Sequence, residues 1–244
     1  MVPILVKAAD NPLPELLPGE MRIVVSGNGP YLERRTSMYQ TSTRWSGPLM
    51  GLEEHEERCR LFCGRIPRTV IRTMLGFFRE AFRLHQGEAA LILLYHPERR
   101  LFRWLCPEQT VEVYKSYGRL RAYDDVSYDV PLTIPEGYVV FGDAHSHGEM
   151  SAFPSGMDKR DEEFKDGLHI IVGRIDEPAK THYHIDFVMD RQRFHFEPEK
   201  ILEDVRCPPF HHCPKSWLGK IQLKPKSSFW STWSRDSDRS KKYH

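Results

Sequence analysis

The sequence predicts an α+β fold, in which a mixed, curved β-sheet packs against one long N-terminal helix and one shorter helix. Two observations favour this class. Apolar residues recur at helical spacing through 67–85, where Pro67 is well placed to open a helix. Short apolar or alternating segments, typical of strands, precede and follow that helix. The helices therefore fall between groups of strands and do not alternate with single strands.

The region before the long helix, 1–56, is predicted to be an N-terminal elaboration. Residues 1–20 hold four of the 18 prolines and show little periodicity, so we expect an irregular arm there. The Gly-Asn-Gly sequence at 27–29 lies between two apolar segments and predicts a β-hairpin, because these residues accept the positive φ of a tight turn. Residues 58–64 alternate in polarity and predict a strand that ends at a glycine.

The predicted sheet follows the long helix, which Gly87 is expected to end. The segment 88–95 is almost wholly apolar and bounded by turn residues, which is typical of a central strand. Further strands are predicted at 101–105, 110–117, 138–142, 168–173, 182–189 and 193–196. The shorter helix is predicted over 157–166, with Ser155 as its cap and Gly167 as its end.

The C-terminal part is predicted to carry little regular structure. Four prolines within 198–222 allow only short helices there, and we place the end of the main domain, 57–222, at this point. The last segment, 223–244, is mildly basic and rich in serine, so we expect a disordered tail.

Composition excludes several classes of function. The 35 Lys and Arg residues against 34 Asp and Glu give a net charge of only +1, so no nucleic-acid partner is expected. The longest apolar run, 89–95, is far shorter than the roughly 20 residues that span a bilayer, so no membrane span is expected. We expect no secretion signal, because the first ten residues show no basic segment followed by a long apolar one, and an odd count of five cysteines favours cytosolic thiols. We therefore expect a cytoplasmic protein.

Potential metal ligands follow the predicted strand 138–142. His145 and His147 are two residues apart, so on an extended backbone they point to the same side. Asp158 follows a loop long enough to fold back towards them. Two imidazoles and one carboxylate leave one position of a tetrahedral zinc ion open for water, as in catalytic sites. Simpler interpretations stay open: Ser155 and Asp158 fit a helix cap, and His145 fits an imidazole bonded to backbone.

The spacing of these residues, His145-x-His147, seven residues, Ser155, two residues, Asp158, resembles the JAMM motif of the JAB/MPN (Mov34) zinc metalloisopeptidases, especially their bacterial branch. The resemblance covers about 57–190. It implies one catalytic zinc ion bound by His145, His147 and Asp158, and a cytidine-deaminase-like architecture. It also implies that Ser155 donates a hydrogen bond to the tetrahedral oxyanion.

The resemblance implies, in addition, a glutamate that acts as general base at the start of the strand after the first long helix. Glu88 matches this description in order and context, 57 residues before His145. It would accept a proton from water and pass it to the leaving amine. The alternative for Glu88 is an exposed carboxylate without a catalytic role. Other glutamates precede the helix and suit a solvated surface; these are Glu53, Glu54, Glu56 and Glu57. Gly148 stands where many relatives have proline, which removes no ligand.

The resemblance implies zinc-dependent hydrolysis of a peptide or isopeptide bond. Bacterial relatives are associated with ubiquitin-like proteins and E1-like (ThiF-type) partners. The implied substrate is therefore the C-terminal tail of a ubiquitin-like protein, either conjugated or in precursor form. Two alternatives stay open: a non-catalytic MPN scaffold, and a zinc hydrolase of small peptides or amides.

Other polar groups in the sequence carry weaker hypotheses. His182 and His184 lie on a predicted strand without a matching serine and aspartate, and are expected to be cross-strand or surface residues. A crowded cluster leaves a second, structural zinc open: Cys207, His211, His212 and Cys213, with Cys59 and Cys63 on one strand face. Cys106 is expected in the core. The acidic residues after Asp158 are expected on the solvated face of the shorter helix; they are Asp161, Glu162 and Glu163.

Overall fold

The computed structural model describes residues 2–47, 49, 56–116, 119–206 and 212–225, with backbone alone for 114–116, 119–125 and 225. The chain divides into two compact units, Met1–Glu57 and Arg58–His244, and each is described by itself. Cys207, His211 and the predicted tail from 226 onwards lie outside the described residues. The predicted domain limits, 57–222, stay a prediction.

The N-terminal unit contains a four-stranded sheet in the order β1-β2-β3-β4. Its strands are β1 (Ile4–Val6), β2 (Met21–Ser26), β3 (Gly29–Arg35) and β4 (Gln40–Arg44). The predicted hairpin is confirmed, because β2 and β3 pair antiparallel through a turn that ends at Gly29 with a φ of 116°. The prediction of an irregular arm is wrong for β1, which pairs parallel with β2. Three residues are too few to reveal such pairing by periodicity.

The described residues of the C-terminal unit form nine strands in two sheets. In chain order they are β5 (Ala90–His96), β6 (Leu101–Leu105), β7 (Gln109–Ser116), β8 (Arg119–Tyr128), β9 (Val139–Ser146), β10 (Gly167–Gly173), β11 (His182–Met189), β12 (Gln192–His195) and β13 (Ile221–Pro225). A six-stranded sheet has the order β12-β11-β10-β9-β5-β6, in which only β9 and β10 pair parallel. A three-stranded sheet has the order β13-β7-β8. The prediction of an α+β fold is confirmed.

Helix α1 (Arg68–His85) packs against one face of the six-stranded sheet. Pro67 is its N-cap residue, and the helix buries the stripe Ile71, Met74, Leu75, Phe78. These side chains form one core with residues of β5, β9, β10 and β11. Burying each such side chain stabilises the fold by about 1.5–3 kcal/mol. The predicted stop at Gly87 is one residue late, because Gln86 already adopts the left-handed conformation at the C-cap.

The other helices are short: α2 (Gly156–Glu162), α3 (Pro198–Ile201) and α4 (Lys215–Leu218), with a 3-10 turn at Pro178–Lys180. Helix α2 ends four residues before its predicted end. Gly167 begins β10 there with a φ of 149°, in close contact with the backbone of Phe141, so the chain has to leave the helix to enter the sheet. None of the helices within the described ranges is long and apolar enough to cross a bilayer.

In the C-terminal unit, one predicted strand is not formed, and two observed strands were not predicted. Residues 58–64 form no strand, since no described segment pairs with them and Phe62 is exposed. This also removes the shared strand face predicted for Cys59 and Cys63. Strands β8 and β13 are not anticipated from the sequence. Both belong to the three-stranded sheet, whose pairing of β7 with β13 joins segments about a hundred residues apart.

Candidate metal centre

Successive side chains of β9 point to opposite faces of the six-stranded sheet, so one face contributes to the core and the other carries the candidate ligands. Ala144 belongs to the core with α1, so Asp143 and His145 point to the opposite face of the sheet. The strand continues to Ser146 and does not end at 142 as predicted, which places His145 inside it. His147 follows directly after the strand, and its backbone N–H donates to the carbonyl of Val172 in β10 at 2.9 Å. Two strands therefore fix the positions of both imidazoles.

His145, His147 and Asp158 form the candidate metal centre. The Nε2 atoms of His145 and His147 are 3.1 Å apart. Asp158 places Oδ1 at 3.6 Å from Nε2 of His145 and Oδ2 at 3.5 Å from Nε2 of His147. Nitrogen and oxygen ligands of a tetrahedral zinc ion lie about 3.3 Å from one another. The three side chains that the sequence pattern selects are therefore brought together at spacings that suit zinc.

The protonation states of this group also suit a cation. Burial lowers the pKa of His145 to about 4, against the opposing charge of Asp158. The imidazole is therefore neutral at neutral pH, which is the form that binds metals. Burial alone would raise the pKa of Asp158, but contacts with His147, His145 and Ser155 lower it below its usual range. Asp158 is therefore ionised.

Ser155 and Asp158 form a capping box at the start of α2. Oγ of Ser155 accepts the backbone N–H of Asp158 at 3.1 Å, and Oδ2 of Asp158 accepts the backbone N–H of Ser155 at 2.7 Å. The capping interpretation is confirmed, and it does not compete with metal binding, because the cap holds the carboxylate beside the imidazoles. It also uses Ser155 only as an acceptor, which leaves the hydroxyl hydrogen available to donate.

Glu88 lies two residues before β5, in the loop that follows α1, and is buried. Its neighbour Ala89 pairs with Ser146: the N–H of Ser146 donates to the carbonyl of Ala89 at 3.1 Å, and Oγ of Ser146 accepts the N–H of Ala89 at 3.3 Å. Glu88 is therefore held next to the metal centre. It lines a small cleft, which we call the site cleft, with Tyr128, Asp143, His145, Asp158 and Glu162. The alternative interpretation of Glu88 as an exposed carboxylate is therefore wrong, whereas its catalytic role stays a prediction.

The conformation of the loop after the imidazoles favours glycine. Gly148 has a φ of 54°, and a Cβ at this position would lie 2.8 Å from the ring of Phe82. A proline, with its φ fixed near −65°, cannot adopt this conformation. Proline at this position would therefore need a different loop conformation.

A buried polar network lies beside the metal centre, and it was not predicted from the sequence. Oη of Tyr128 donates to Oδ2 of Asp143 at 2.8 Å, and Oδ1 of Asp143 lies 2.9 Å from Nδ1 of His169. Nε2 of His169 lies 2.8 Å from the carbonyl oxygen of Lys165. Both ring nitrogens of His169 thus face acceptors, which favours the doubly protonated imidazolium. A histidine within the apolar sequence of β10 was the signal for this network.

Glu162 belongs to the same buried region, and its predicted place on a solvated helix face is wrong. Its Oε2 lies 2.6 Å from Nη1 of Arg193, which is also 2.9 Å from Oδ2 of Asp186. Asp161 is exposed as predicted, and Glu163 pairs with Arg191 at the surface. Because Glu162 is one turn after Asp158 on α2, Arg193 anchors the helix that carries a ligand of the metal centre. The pairing partner comes from β12, so helix periodicity alone could not reveal it.

His169 is expected to make stability depend on pH. Burial lowers its pKa, but the hydrogen bond and charge of Asp143 and the charge of Glu162 outweigh burial and raise it to about 8. A folded pKa above the unfolded value of about 6.5 stabilises the fold fully below pH 6.5, and this stabilisation is lost as the pH rises through 8. The loss amounts to about 2 kcal/mol. Urea unfolding at pH 6 and pH 9 measures it.

The control for this pH effect is His169→Gln, compared with the wild type at both pH values in the presence of a chelator, since zinc binding is itself pH-dependent. The stability difference between the two proteins should be larger at pH 6 than at pH 9. An equal difference at both pH values would contradict a charged His169.

The other predicted ligand clusters have separate outcomes. Within the described part of the chain, Cys59, Cys63, His212 and Cys213 form no group of three that could hold a metal. Cys213 packs partly buried against the core, and Cys106 is buried as predicted. His184 proves to be a cross-strand residue, which stacks on His195 of β12.

The mixed fold and the His/His/Asp group define a JAB-type domain with a candidate metal centre. The family described as prokaryotic homologs of the JAB domain matches residues 52–187, and the chain belongs to this family. JAB-domain proteins include metalloisopeptidases. The chain is also similar to the solution structure of a protein from Desulfitobacterium hafniense, at 16% identity, 67% coverage of this chain, 94% of that chain and a TM-score of 0.33. No curated protein matches the sequence significantly.

Proposed function

We propose that the protein is a zinc-dependent metalloisopeptidase that hydrolyses a peptide or isopeptide bond at the C-terminus of a ubiquitin-like protein. The observation that carries the proposal is the convergence of His145, His147 and Asp158, at 3.1–3.6 Å between ligand atoms. His145 and Asp158 line the same cleft as Glu88. Zinc bound there supplies a Lewis acid that polarises a carbonyl and acidifies water.

The residues around the metal centre provide the proton transfers and the positioning. Glu88 accepts a proton from the attacking water and delivers it to the leaving amine, which restores the carboxylate. Ser155 donates its hydroxyl hydrogen to the oxyanion of the tetrahedral species. The capping box of Ser155 and Asp158 supports both roles, because it fixes the hydroxyl oxygen and the ligand carboxylate in one geometry.

An extended peptide suits the surroundings of the cleft. Strand β8 lies at the edge of its three-stranded sheet, and its last residue, Tyr128, lines the cleft. A C-terminal tail pairing with that edge would lead its terminal carbonyl towards the metal centre. We extend the proposal to an E1-like (ThiF-type) enzyme as a partner, to a cytoplasmic location, and to a cytidine-deaminase-like arrangement of the domain.

A fusion of a ubiquitin-like protein to a reporter tests the proposal. The purified protein is expected to release the reporter after the last residue of the ubiquitin-like protein, and His147→Ala is expected to abolish release and to retain one zinc ion fewer than the wild type. The physical reason is that two ligands remain where a tetrahedral site uses three from the protein. Release is followed by gel and mass spectrometry, and zinc by elemental analysis.

The matched control is His85→Ala, which removes a half-exposed imidazole at the end of α1 and should change neither readout. Retention of the zinc ion without cleavage of any fusion or conjugate would contradict the peptidase proposal and favour a scaffold. Cleavage of small amides alone would contradict the ubiquitin-like substrate.

A further inference from the structure

A second group of metal-ligating side chains lies on the same face of the six-stranded sheet, two strands away from the metal centre. In the strand register, Asp143 of β9, His169 of β10, Asp186 of β11 and His195 of β12 pair in one row across the sheet. His184 precedes Asp186 by two residues on β11 and therefore points to the same side. The pairing of β11 with β12 thus brings two imidazoles and one carboxylate together.

The distances in this group suit coordination. Nδ1 of His195 lies 2.9 Å from Oδ1 of Asp186, and Nε2 of His184 lies 3.0 Å from Oδ2 of Asp186. The two rings stack with centroids 4.6 Å apart. One ligand atom from each residue lies within 4.8 Å of the other two. This is the donor set of the first metal centre, built from two antiparallel strands.

His184 provides an independent observation. Its Nε2 atom is buried and lies 3.0 Å from Oδ2 of Asp186, but the angles at this contact are poor for a hydrogen bond. The nitrogen therefore points at the cluster in an orientation that does not suit the carboxylate. A metal ion between the three side chains would give this buried nitrogen a coordination bond.

The residues around His184, Asp186 and His195 leave the group open to solvent and give it a negative net charge. The side chain of His195 is 52% exposed, so an ion can enter from solvent. Asp186 is buried and Arg193 holds its Oδ2 atom, which orients the carboxylate from behind as metal sites commonly require. Arg193 also pairs with Glu162, so two carboxylates and one guanidinium leave a net charge of −1 for a cation to neutralise.

We propose that His184, Asp186 and His195 form a second metal site, which binds a divalent transition metal such as Zn²⁺. Imidazole ligands favour zinc, copper or nickel over calcium and magnesium. Three protein ligands leave the outer position to water or to a ligand from solution. Because β12 is an edge strand of only four residues, an ion there would pin it to β11 and protect the sheet edge.

Zinc binding to four proteins tests the second site. After metal removal and dialysis against Zn²⁺, His195→Ala and the His184→Ala/His195→Ala double variant should each hold one ion fewer than the wild type. His182→Ala, which removes another imidazole of β11 outside the cluster, should hold the same amount as the wild type. Since His195 is half-exposed, its single replacement tests binding even if the double variant folds poorly.

The background His145→Ala/His147→Ala isolates the second site from the proposed peptidase site. In this background Zn²⁺ is expected to raise the unfolding temperature, and additional replacement of His195 should remove that rise. If the first site fails to bind zinc, the background variant still responds to zinc, so the two proposals are tested separately. Unchanged stoichiometry in His195→Ala, or no response to zinc in the background variant, would overturn the second site.

Discussion

Glu88→Gln is expected to slow cleavage of the ubiquitin-like fusion by about 10²–10⁴-fold, while the fold and the zinc content stay unchanged. Glutamine keeps the size of the side chain and its ability to form hydrogen bonds, but it cannot take up a proton. Glu88 is buried beside His145 and Asp158 in the site cleft, so no bulk base can replace it at the same position. Initial rates at saturating substrate and zinc analysis measure the effect.

The matched control is Glu57→Gln, which changes an exposed carboxylate that precedes α1 and should leave the rate unaltered. Loss of activity together with loss of zinc would assign Glu88 a role in holding the site rather than in proton transfer. A rate close to that of the wild type would contradict the general-base role and would leave the metal ligands as the only tested part of the mechanism.

The parts of the fold that sequence reasoning predicted are those with strong local periodicity. The apolar residues of α1 repeat at helical spacing from Ile71 to Ala81, and the run at the centre of β5 can only be buried. Both are therefore defined by their own residues. The ends of strands are not defined by local periodicity alone. Strand β9 continues past Gly142 to Ser146, because its partner β10 continues to pair with it.

The parts that were missed depend on partners that are distant in the chain. Alternation at 58–64 matches a strand, but a strand exists only where a neighbour pairs with it, and none of the described segments does. Strands β1 and β13 are short and gain their pairing from segments that periodicity cannot locate. Sequence pattern thus reports which residues can form a strand, whereas the pairing is decided by the tertiary fold.

The candidate site shows the same division. His145, His147, Ser155 and Asp158 fall within fourteen residues, so fixed spacing selects them. The residues that hold them in place come from other strands: His169 from β10 and Arg193 from β12. The sequence offered only indirect signs, namely a histidine in an apolar strand and an aspartate two residues before His145. Local spacing therefore identified the ligands, and the fold was needed to find their supports.

Arg193→Met is expected to lower the free energy of unfolding by about 3 kcal/mol, because removing one member of a buried ion pair leaves its partners uncompensated. Arg193 pairs with both Glu162 and Asp186, and both carboxylates are buried. Burial already raises the pKa of Glu162 in spite of Arg193, so in the variant this side chain has a still stronger tendency to take up a proton. Urea unfolding, with the slope of the transition compared between proteins, measures the change.

Arg191→Met is the control. Arg191 lies in the turn between β11 and β12, two residues before Arg193, and makes a surface ion pair with Glu163. Its replacement should lower the free energy of unfolding by less than about 1 kcal/mol. A second replacement separates charge from packing. If the cost comes from the uncompensated charge of Glu162, then Glu162→Gln should destabilise the Arg193→Met variant much less than it destabilises the wild type. Additive losses would instead show that Arg193 stabilises through the packing of its side chain. Non-additive losses would mean that the anchoring of α2, and with it the position of Asp158, depends on this buried pair.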